Sequence, residues 1–106
     1  MMEIEITPLQ LNKKLQEQAD IFLLDVRSIG EFKIANLNGH LIELGELPSR
    51  IDELNLNQHI IVYCHHGVRS LHAAEFLRAR GAKTVQSLQG GVDAWAQEID
   101  HSMARY

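Results

Sequence analysis

The chain has 106 residues, of which 45% are hydrophobic and 23% are charged, a balance typical of a globular protein with one core. Its formal net charge of −4 argues against a nucleic-acid-binding surface, which needs a basic face. No apolar run approaches the roughly 20 residues of a membrane-spanning helix, and the acidic start lacks the features of a secretory signal. We therefore expect a single domain spanning residues 1–106, located in the cytoplasm, with neither nucleic acid nor a membrane as partner.

The first predicted elements are a short strand, a helix and a buried strand. Ile4 and Ile6 alternate with glutamates, as the residues of a half-buried strand do. Thr7 precedes a proline and is followed by a glutamine at the third helical position, which is typical of a capped helix start. We expect this helix to end near Gln18. The apolar run 21–24 does not alternate, which indicates a strand buried on both faces of a parallel sheet.

A second helix is predicted directly after this strand. Ser28 and Glu31 have the spacing of a capping box, and they should open a short helix that ends near Ile34. Arg27 and Glu31 are four residues apart, so we expect a salt bridge between them. General acid or base chemistry by Asp25 or Glu31 is the alternative interpretation.

The rest of the chain continues the alternation of strands and helices. Segment 37–44 predicts a turn and a short strand, and segment 47–54 predicts a brief helix with Pro48 in its first turn. The remaining predicted elements are a strand at 60–63, a helix at 70–80 closed by Gly81, a strand at 84–88, a turn at Gly90 and Gly91, and a helix at 92–99.

This order of elements predicts an α/β fold, with helices on both faces of a mainly parallel sheet. In the last helix Trp95 lies at helical spacing from apolar residues. We expect Trp95 to belong to the core rather than to stack on a cofactor.

The segment between the strongest strand and the strongest helix carries the candidate chemistry. Open parallel sheets bind ligands at the carboxyl ends of their strands, and Cys64 lies at such an end. A loop entering a helix directs backbone N–H groups toward one concavity and so favours an anion. Gly67 gives the loop conformational freedom, and Arg69 can add a guanidinium. We therefore expect the Cys64 thiol to ionise below the roughly 8.5 of free cysteine and to act as a nucleophile. The alternative is a small buried apolar residue.

The neighbouring loop residues are interpreted as substrate-binding groups. His65 and His66 add donors, but adjacent histidines do not readily point at one centre together with Cys64, so we expect no metal site. A single cysteine excludes an intramolecular disulfide and fits a reducing compartment. The candidate site consists of Cys64 as the catalytic residue and of His65, His66, Gly67, Val68, Arg69 and Ser70 as substrate-binding residues.

Three groups of residues, in this order, resemble the rhodanese-like domains. They are Leu24-Asp25-Val26-Arg27 with Glu31-Phe32, then Ile61-Val62-Tyr63-Cys64 with Gly67, Arg69 and Ser70, then Leu88-Gln89-Gly90-Gly91 with Ala94-Trp95. The resemblance implies a five-stranded parallel sheet flanked by helices, with Cys64 as the residue that carries sulfur. It also implies that the amides of residues 65–70 and the Arg69 side chain surround a persulfide or an anionic donor.

The function that this resemblance implies is sulfur transfer. The Cys64 thiolate would take the outer sulfur of thiosulfate or of a donor persulfide, and a thiol or cyanide acceptor would then remove it. The expected partners are a small anionic sulfur donor such as thiosulfate, or a persulfide-donor protein, together with a thiol acceptor. We expect no metal or organic cofactor.

Two other classes of function remain open at this point. A phosphatase or arsenate reductase would use a cysteine loop to bind a tetrahedral oxyanion. Protein phosphatases of that type have a Cys-x5-Arg loop, whereas Cys64 to Arg69 is one residue shorter and its tighter ring should suit sulfur. A noncatalytic protein-binding module has no need to keep Cys64, Gly67 and Arg69 together.

Overall fold

The computed structural model describes residues 2–106 and shows the expected alternation of strands and helices. The strands are β1 (Glu5–Ile6), β2 (Ile21–Asp25), β3 (His40–Leu41), β4 (His59–Tyr63) and β5 (Thr84–Leu88). The α-helices are α1 (Pro8–Gln16), α2 (Ile29–Ile34), α3 (Val68–Ala79) and α4 (Gly91–Glu98), and two 3-10 helices, Leu44–Glu46 and Pro48–Glu53, precede β4. None of the helices within residues 2–106 has the length and apolar character needed to span a bilayer.

The five strands form one sheet in the order β1-β5-β4-β2-β3, and every neighbouring pair is parallel. The α/β fold with a five-stranded parallel sheet is therefore confirmed. Strand β4 lies at the centre, where Val62 is paired with Leu24 of β2 on one side and with Ser87 of β5 on the other. The carboxyl end of β4, where Cys64 follows, thus lies between the ends of two other strands.

Alternate residues of β4 enter two separate core clusters, because successive side chains of a strand point to opposite faces. Ile60 and Val62 pack with residues of α3, and Cys64 belongs to the same cluster. Ile61 and Tyr63 pack in the cluster that contains residues of α1 and α4. Helices therefore cover both faces of the sheet, as the unbroken apolar run of β4 predicts.

Both predicted helix starts are confirmed by their caps. Thr7 and Gln10 form a complete capping box, with hydrogen bonds of 3.2 and 2.9 Å between the side chain of one residue and the backbone N–H of the other. Ser28 and Glu31 form a second one, with both bonds at 3.2 Å. Because this box fixes the start of α2, it also fixes the direction in which the Glu31 carboxylate leaves the helix.

Three predicted details of the fold differ from the structure. Helix α1 ends at Gln16, two residues early, because Gln18 adopts a left-handed conformation with φ +56°. The segment predicted as a helix at 47–54 is the 3-10 helix Pro48–Glu53. Helix α3 begins at Val68 rather than at residue 70, and Gly81 closes it with φ +101°. The expectation for Trp95 is confirmed, since this side chain is 6% exposed within the core.

Candidate functional site

Cys64 follows β4 directly, and its sulfur is enclosed by the start of α3. The residue is 1% exposed. Its Sγ accepts hydrogen bonds from the backbone N–H of Gly67 at 3.1 Å and of Ser70 at 3.3 Å. Gly67 is the N-cap of α3 with φ +103°, a left-handed conformation that favours glycine. Two amides at the positive end of a helix therefore face the sulfur, and such donors stabilise negative charge on it.

The opposite side of this loop is held by α4. The N–H of Val92 donates to the Cys64 carbonyl at 2.9 Å, and the N–H of Asp93 donates to the His65 carbonyl at 3.1 Å. Gly91 has φ +61°, and a Cβ atom there would collide with both of these carbonyl oxygens. Glycine is therefore required for the close approach of α4, which binds the carbonyl groups while N–H groups of the loop and of α3 face the sulfur.

Two buried hydroxyl groups continue inward from the sulfur. Ser70 Oγ lies 3.4 Å from Cys64 Sγ, and Ser87 Oγ lies 2.7 Å from Ser70 Oγ. Both serines are 0% exposed. Ser70 was expected in the site, whereas Ser87 on β5 was not. The sequence signal that could have identified Ser87 is its position: it is a polar residue near the carboxyl end of a buried strand.

Arg69 forms a bidentate ion pair with Glu31 of α2, with N–O distances of 2.7 and 2.9 Å. The hydrogen bonds from Arg69 are the main reason why the pKa of Glu31 is lowered to about 2. The same bonds raise the pKa of Arg69, and the charge of ionised Cys64 contributes a smaller part of this increase. Arg69 therefore lies within electrostatic reach of the sulfur, but its guanidinium is already engaged by a carboxylate.

The expected salt bridge between Arg27 and Glu31 is wrong. Arg27 instead binds Asp25 through Nε at 2.9 Å and Nη2 at 2.7 Å, and both side chains are fully buried. Arg27 precedes Ser28, the N-cap of α2, so the chain there is extended and a spacing of four residues does not place two side chains on one helical face. The Asp25 carboxylate is engaged in this buried ion pair and is therefore not available as a general base.

Tyr106 connects α2 to the Cys64 loop (residues 64–67), although no local sequence signal indicates this. Its hydroxyl accepts a hydrogen bond from Arg27 Nη1 at 2.7 Å and donates one to Glu31 Oε2 at 2.9 Å. Its ring stacks on the ring of His65 with centroids 3.9 Å apart and an interplanar angle of 9°. The ion pair beside the sulfur and the loop that contains the sulfur are thus held by one side chain.

The two adjacent histidines differ in their surroundings. Burial lowers the pKa of His65, and the neighbouring His66 lowers it further. The side chain of His66 is 64% exposed and lies 3.9 Å from the Asp93 carboxylate. Three side chains here each offer one atom that could bind a metal ion, and these atoms lie within 4.8 Å of one another: those of His65, His66 and Asp93. Asp93, however, is already paired with Arg105 at 3.0 Å.

The structure thus brings together part of the candidate site. Cys64, Gly67 and Ser70 meet at the sulfur atom. Arg69 lies beside this group and is bound to Glu31. Val68, which was predicted as a substrate-binding residue, is 66% exposed, so its side chain lies at the surface of the protein.

Residues 7–98 match the family model of the rhodanese-like domain. The match covers most of the chain, which therefore belongs to the rhodanese-like domain family. The chain is also similar to a crystal structure of a rhodanese-like domain protein from Staphylococcus aureus, with a TM-score of 0.83 and 28% identity, over 98% of this chain and 99% of that one.

Two relatives bear names that concern sulfur. The chain is 36% identical over 97 residues to the putative sulfur carrier protein YrkF of Bacillus subtilis. The matched region covers 91% of this chain and 52% of that protein. It is 33% identical over 95 residues to thiosulfate sulfurtransferase GlpE of Glaesserella parasuis, over 88% of this chain and 86% of that protein. The chain thus spans about half the length of the first relative and most of the second.

Proposed function

We propose that this protein is a sulfurtransferase in which Cys64 carries the transferred sulfur as a persulfide. The observation that carries the proposal is the pair of hydrogen bonds from the Gly67 and Ser70 amides to Cys64 Sγ, at 3.1 and 3.3 Å. These donors sit at the N-terminus of α3, where they stabilise a thiolate and the anion that replaces it during transfer. Membership of the rhodanese-like family, with relatives named as a sulfurtransferase and a sulfur carrier, supports the same reaction.

The transfer consists of two displacements at sulfur. In the first, the Cys64 thiolate attacks the outer sulfur of thiosulfate, the sulfur–sulfur bond of the donor breaks, and sulfite leaves with the bonding electron pair. Cys64 is then a persulfide. In the second, a thiolate or cyanide acceptor attacks the outer sulfur of this persulfide, and the Cys64 thiolate leaves. No external oxidant or reductant takes part in these two displacements, and we propose that the cycle needs no metal or organic cofactor.

The depth of the sulfur favours a sulfur donor over a phosphate ester. Cys64 is 1% exposed, so an attacked atom must reach a sulfur that is almost fully enclosed. The outer sulfur of thiosulfate or of a persulfide is a terminal atom and can enter alone. The phosphorus of a phosphate ester is surrounded by four oxygens, and it needs a wider ring of donors.

The donor is either a small anionic sulfur compound, such as thiosulfate, or a protein that carries a persulfide, and the acceptor is a thiol. We place the reaction in the cytoplasm, because a lone cysteine that must stay free for sulfur transfer suits a reducing compartment.

The test is the intact mass of the protein after incubation with thiosulfate. We expect the mass of one sulfur atom to be added, and cyanide or dithiothreitol to remove it. Cys64→Ser should take up no sulfur while it keeps the thermal stability of the wild type, because the two side chains are similar in size. A folded wild-type protein that gains no sulfur from thiosulfate or from persulfide donors contradicts the proposal. Turnover of a phosphate ester by that sample would indicate a phosphatase instead.

A further inference from the structure

Ser87 lies behind the site, one hydrogen bond further from the sulfur than Ser70. We propose that Ser87 is a positioning residue that orients the Ser70 hydroxyl so that it donates to the sulfur of Cys64. The consequence of this role for sulfur transfer rests on the proposed function. The effect of Ser87 on the ionisation of the Cys64 thiol does not.

The placement of Ser87 suggests a role other than packing. It lies on β5 opposite Val62 of β4, and it is 0% exposed. Val85, two residues earlier, is on the same face of the strand and belongs to the apolar cluster that contains Cys64. This face of the strand packs in an apolar cluster. A hydroxyl group buried there is unfavourable unless it has a hydrogen-bonding partner. Ser70 Oγ at 2.7 Å provides it, at a distance typical of a good O–H···O bond.

The Ser70 hydroxyl has a single proton and three possible acceptors for it. Its oxygen lies 3.4 Å from Cys64 Sγ, 3.3 Å from the Gly67 carbonyl and 2.7 Å from Ser87 Oγ. If Ser70 donates to Ser87, it cannot donate to the sulfur. If Ser87 donates to Ser70, the Ser70 proton is available to the sulfur, and a thiolate is a stronger acceptor than a neutral carbonyl.

The donor and acceptor roles in the hydrogen bonds between Cys64, Ser70 and Ser87 therefore depend on the charge of the sulfur. With a neutral thiol, Cys64 donates to Ser70, and the Ser70 hydroxyl donates to the Gly67 carbonyl at 3.3 Å. With a thiolate, the bond between Cys64 and Ser70 reverses, Ser87 donates to Ser70, and the Ser70 hydroxyl becomes a third donor beside the amides of Gly67 and Ser70. The persulfide keeps its inner sulfur at the same place, so the same hydroxyl continues to hold it. Without Ser87 the Ser70 proton has no fixed orientation, and the thiolate is stabilised less.

The experiment measures the rate of iodoacetamide alkylation against pH, which reports Cys64 alone because the chain has one cysteine. We expect Ser87→Ala to move the midpoint of this profile upward by about half a pH unit, which is about threefold in the ionisation equilibrium. Ser70→Ala should move it at least as far. The double variant should move it no further than Ser70→Ala, because Ser87 acts through Ser70. Ser87→Thr keeps the hydroxyl and should restore the wild-type midpoint.

Val85→Ala is the matched control, since it truncates a buried side chain on the same face of β5. It should lower the melting temperature without moving the alkylation midpoint. Equal midpoints for Ser87→Ala and the wild type would overturn the proposal, and so would additive shifts in the double variant.

These results are independent of sulfur uptake. If Ser87→Ala shifts the alkylation profile in a protein that accepts no sulfur, the role of Ser87 stands and the proposed function fails. If sulfur is taken up at the wild-type rate and the profile does not move, the proposed function stands and the role of Ser87 is refuted.

Discussion

Gly91→Ala should destabilise the protein more than Gly81→Ala or Gly45→Ala. Gly91 has φ +61°, and its missing side chain allows the Cys64 and His65 carbonyls to approach α4. An alanine in the left-handed region costs about 1–2 kcal/mol. The collision also displaces the two hydrogen bonds that Val92 and Asp93 donate to these carbonyls, each contributing about 1 kcal/mol.

The expected loss is therefore about 3–4 kcal/mol, which corresponds to a melting temperature lower by roughly 12–16 °C for a domain of this size. Two glycines serve as matched controls. Gly81 has φ +101° but nothing within 4 Å of a Cβ, so Gly81→Ala should cost only the conformational part, about 1–2 kcal/mol. Gly45 also has open space and lacks a positive φ, so Gly45→Ala should be close to neutral.

The assay is thermal and urea denaturation of the three variants and the wild type, combined with the alkylation rate of Cys64. Gly91→Ala should alter the alkylation rate as well as stability, because the carbonyls that it displaces belong to the Cys64 loop. Gly81→Ala should change stability alone. A Gly91→Ala variant no less stable than Gly81→Ala would refute the argument that close approach, rather than backbone conformation, requires glycine at position 91.

Three further predictions concern the charged residues around the site. Arg69→Leu should raise the KM for thiosulfate at least about tenfold, because it removes a guanidinium and leaves the Glu31 charge unpaired, and Arg69→Lys should recover part of this loss in steady-state kinetics. Glu31→Gln should lower stability at pH 7 by about 1 kcal/mol, a value reduced for the exposure of Arg69. Since the pKa of Glu31 falls from 4.5 to about 2 on folding, this difference should be complete above about pH 5 and should vanish as the pH falls toward 2 in urea titrations. Asp25→Asn should cost about 3–5 kcal/mol in the same titrations, because it leaves the Arg27 charge buried without a counterion, whereas Glu53→Gln on the surface should have little effect.

The fold was predictable where local rules act without competition. Strand β4 reads as a continuous apolar run because both of its faces are covered, and the two capping boxes fix the starts of α1 and α2. The 3-10 helix Pro48–Glu53 was predicted as a helix without its type. The choice between i+3 and i+4 hydrogen bonds over six residues depends on how the segment packs, which periodicity does not reveal.

The contacts of the candidate site between residues close in the sequence were predictable, but those between residues far apart in the sequence were not. The turn from Cys64 through Gly67 into α3 is a local arrangement, and the sequence indicated it, although α3 begins at Val68 rather than at residue 70. The partners of Arg69 and Tyr106 lie far away in the sequence, and only the packing of α2 beside the Cys64 loop brings Glu31 to both. Arg27 was given the wrong partner because a helical spacing rule was applied to a residue that precedes the helix.

The Arg69–Glu31 ion pair also governs how a charged donor approaches the protein. The paired carboxylate cancels the guanidinium at distances beyond a few ångströms, and the chain as a whole carries a net charge of −4. A dianion in solution is therefore repelled rather than steered toward Cys64. Salt screens this repulsion over a Debye length of about 8 Å at physiological ionic strength, so, if thiosulfate is the donor as proposed, its capture should become faster as salt is added. Under the proposed function, a sulfur delivered on a neutral or basic carrier would meet no such barrier, and donors would then differ in their rate of arrival at the site.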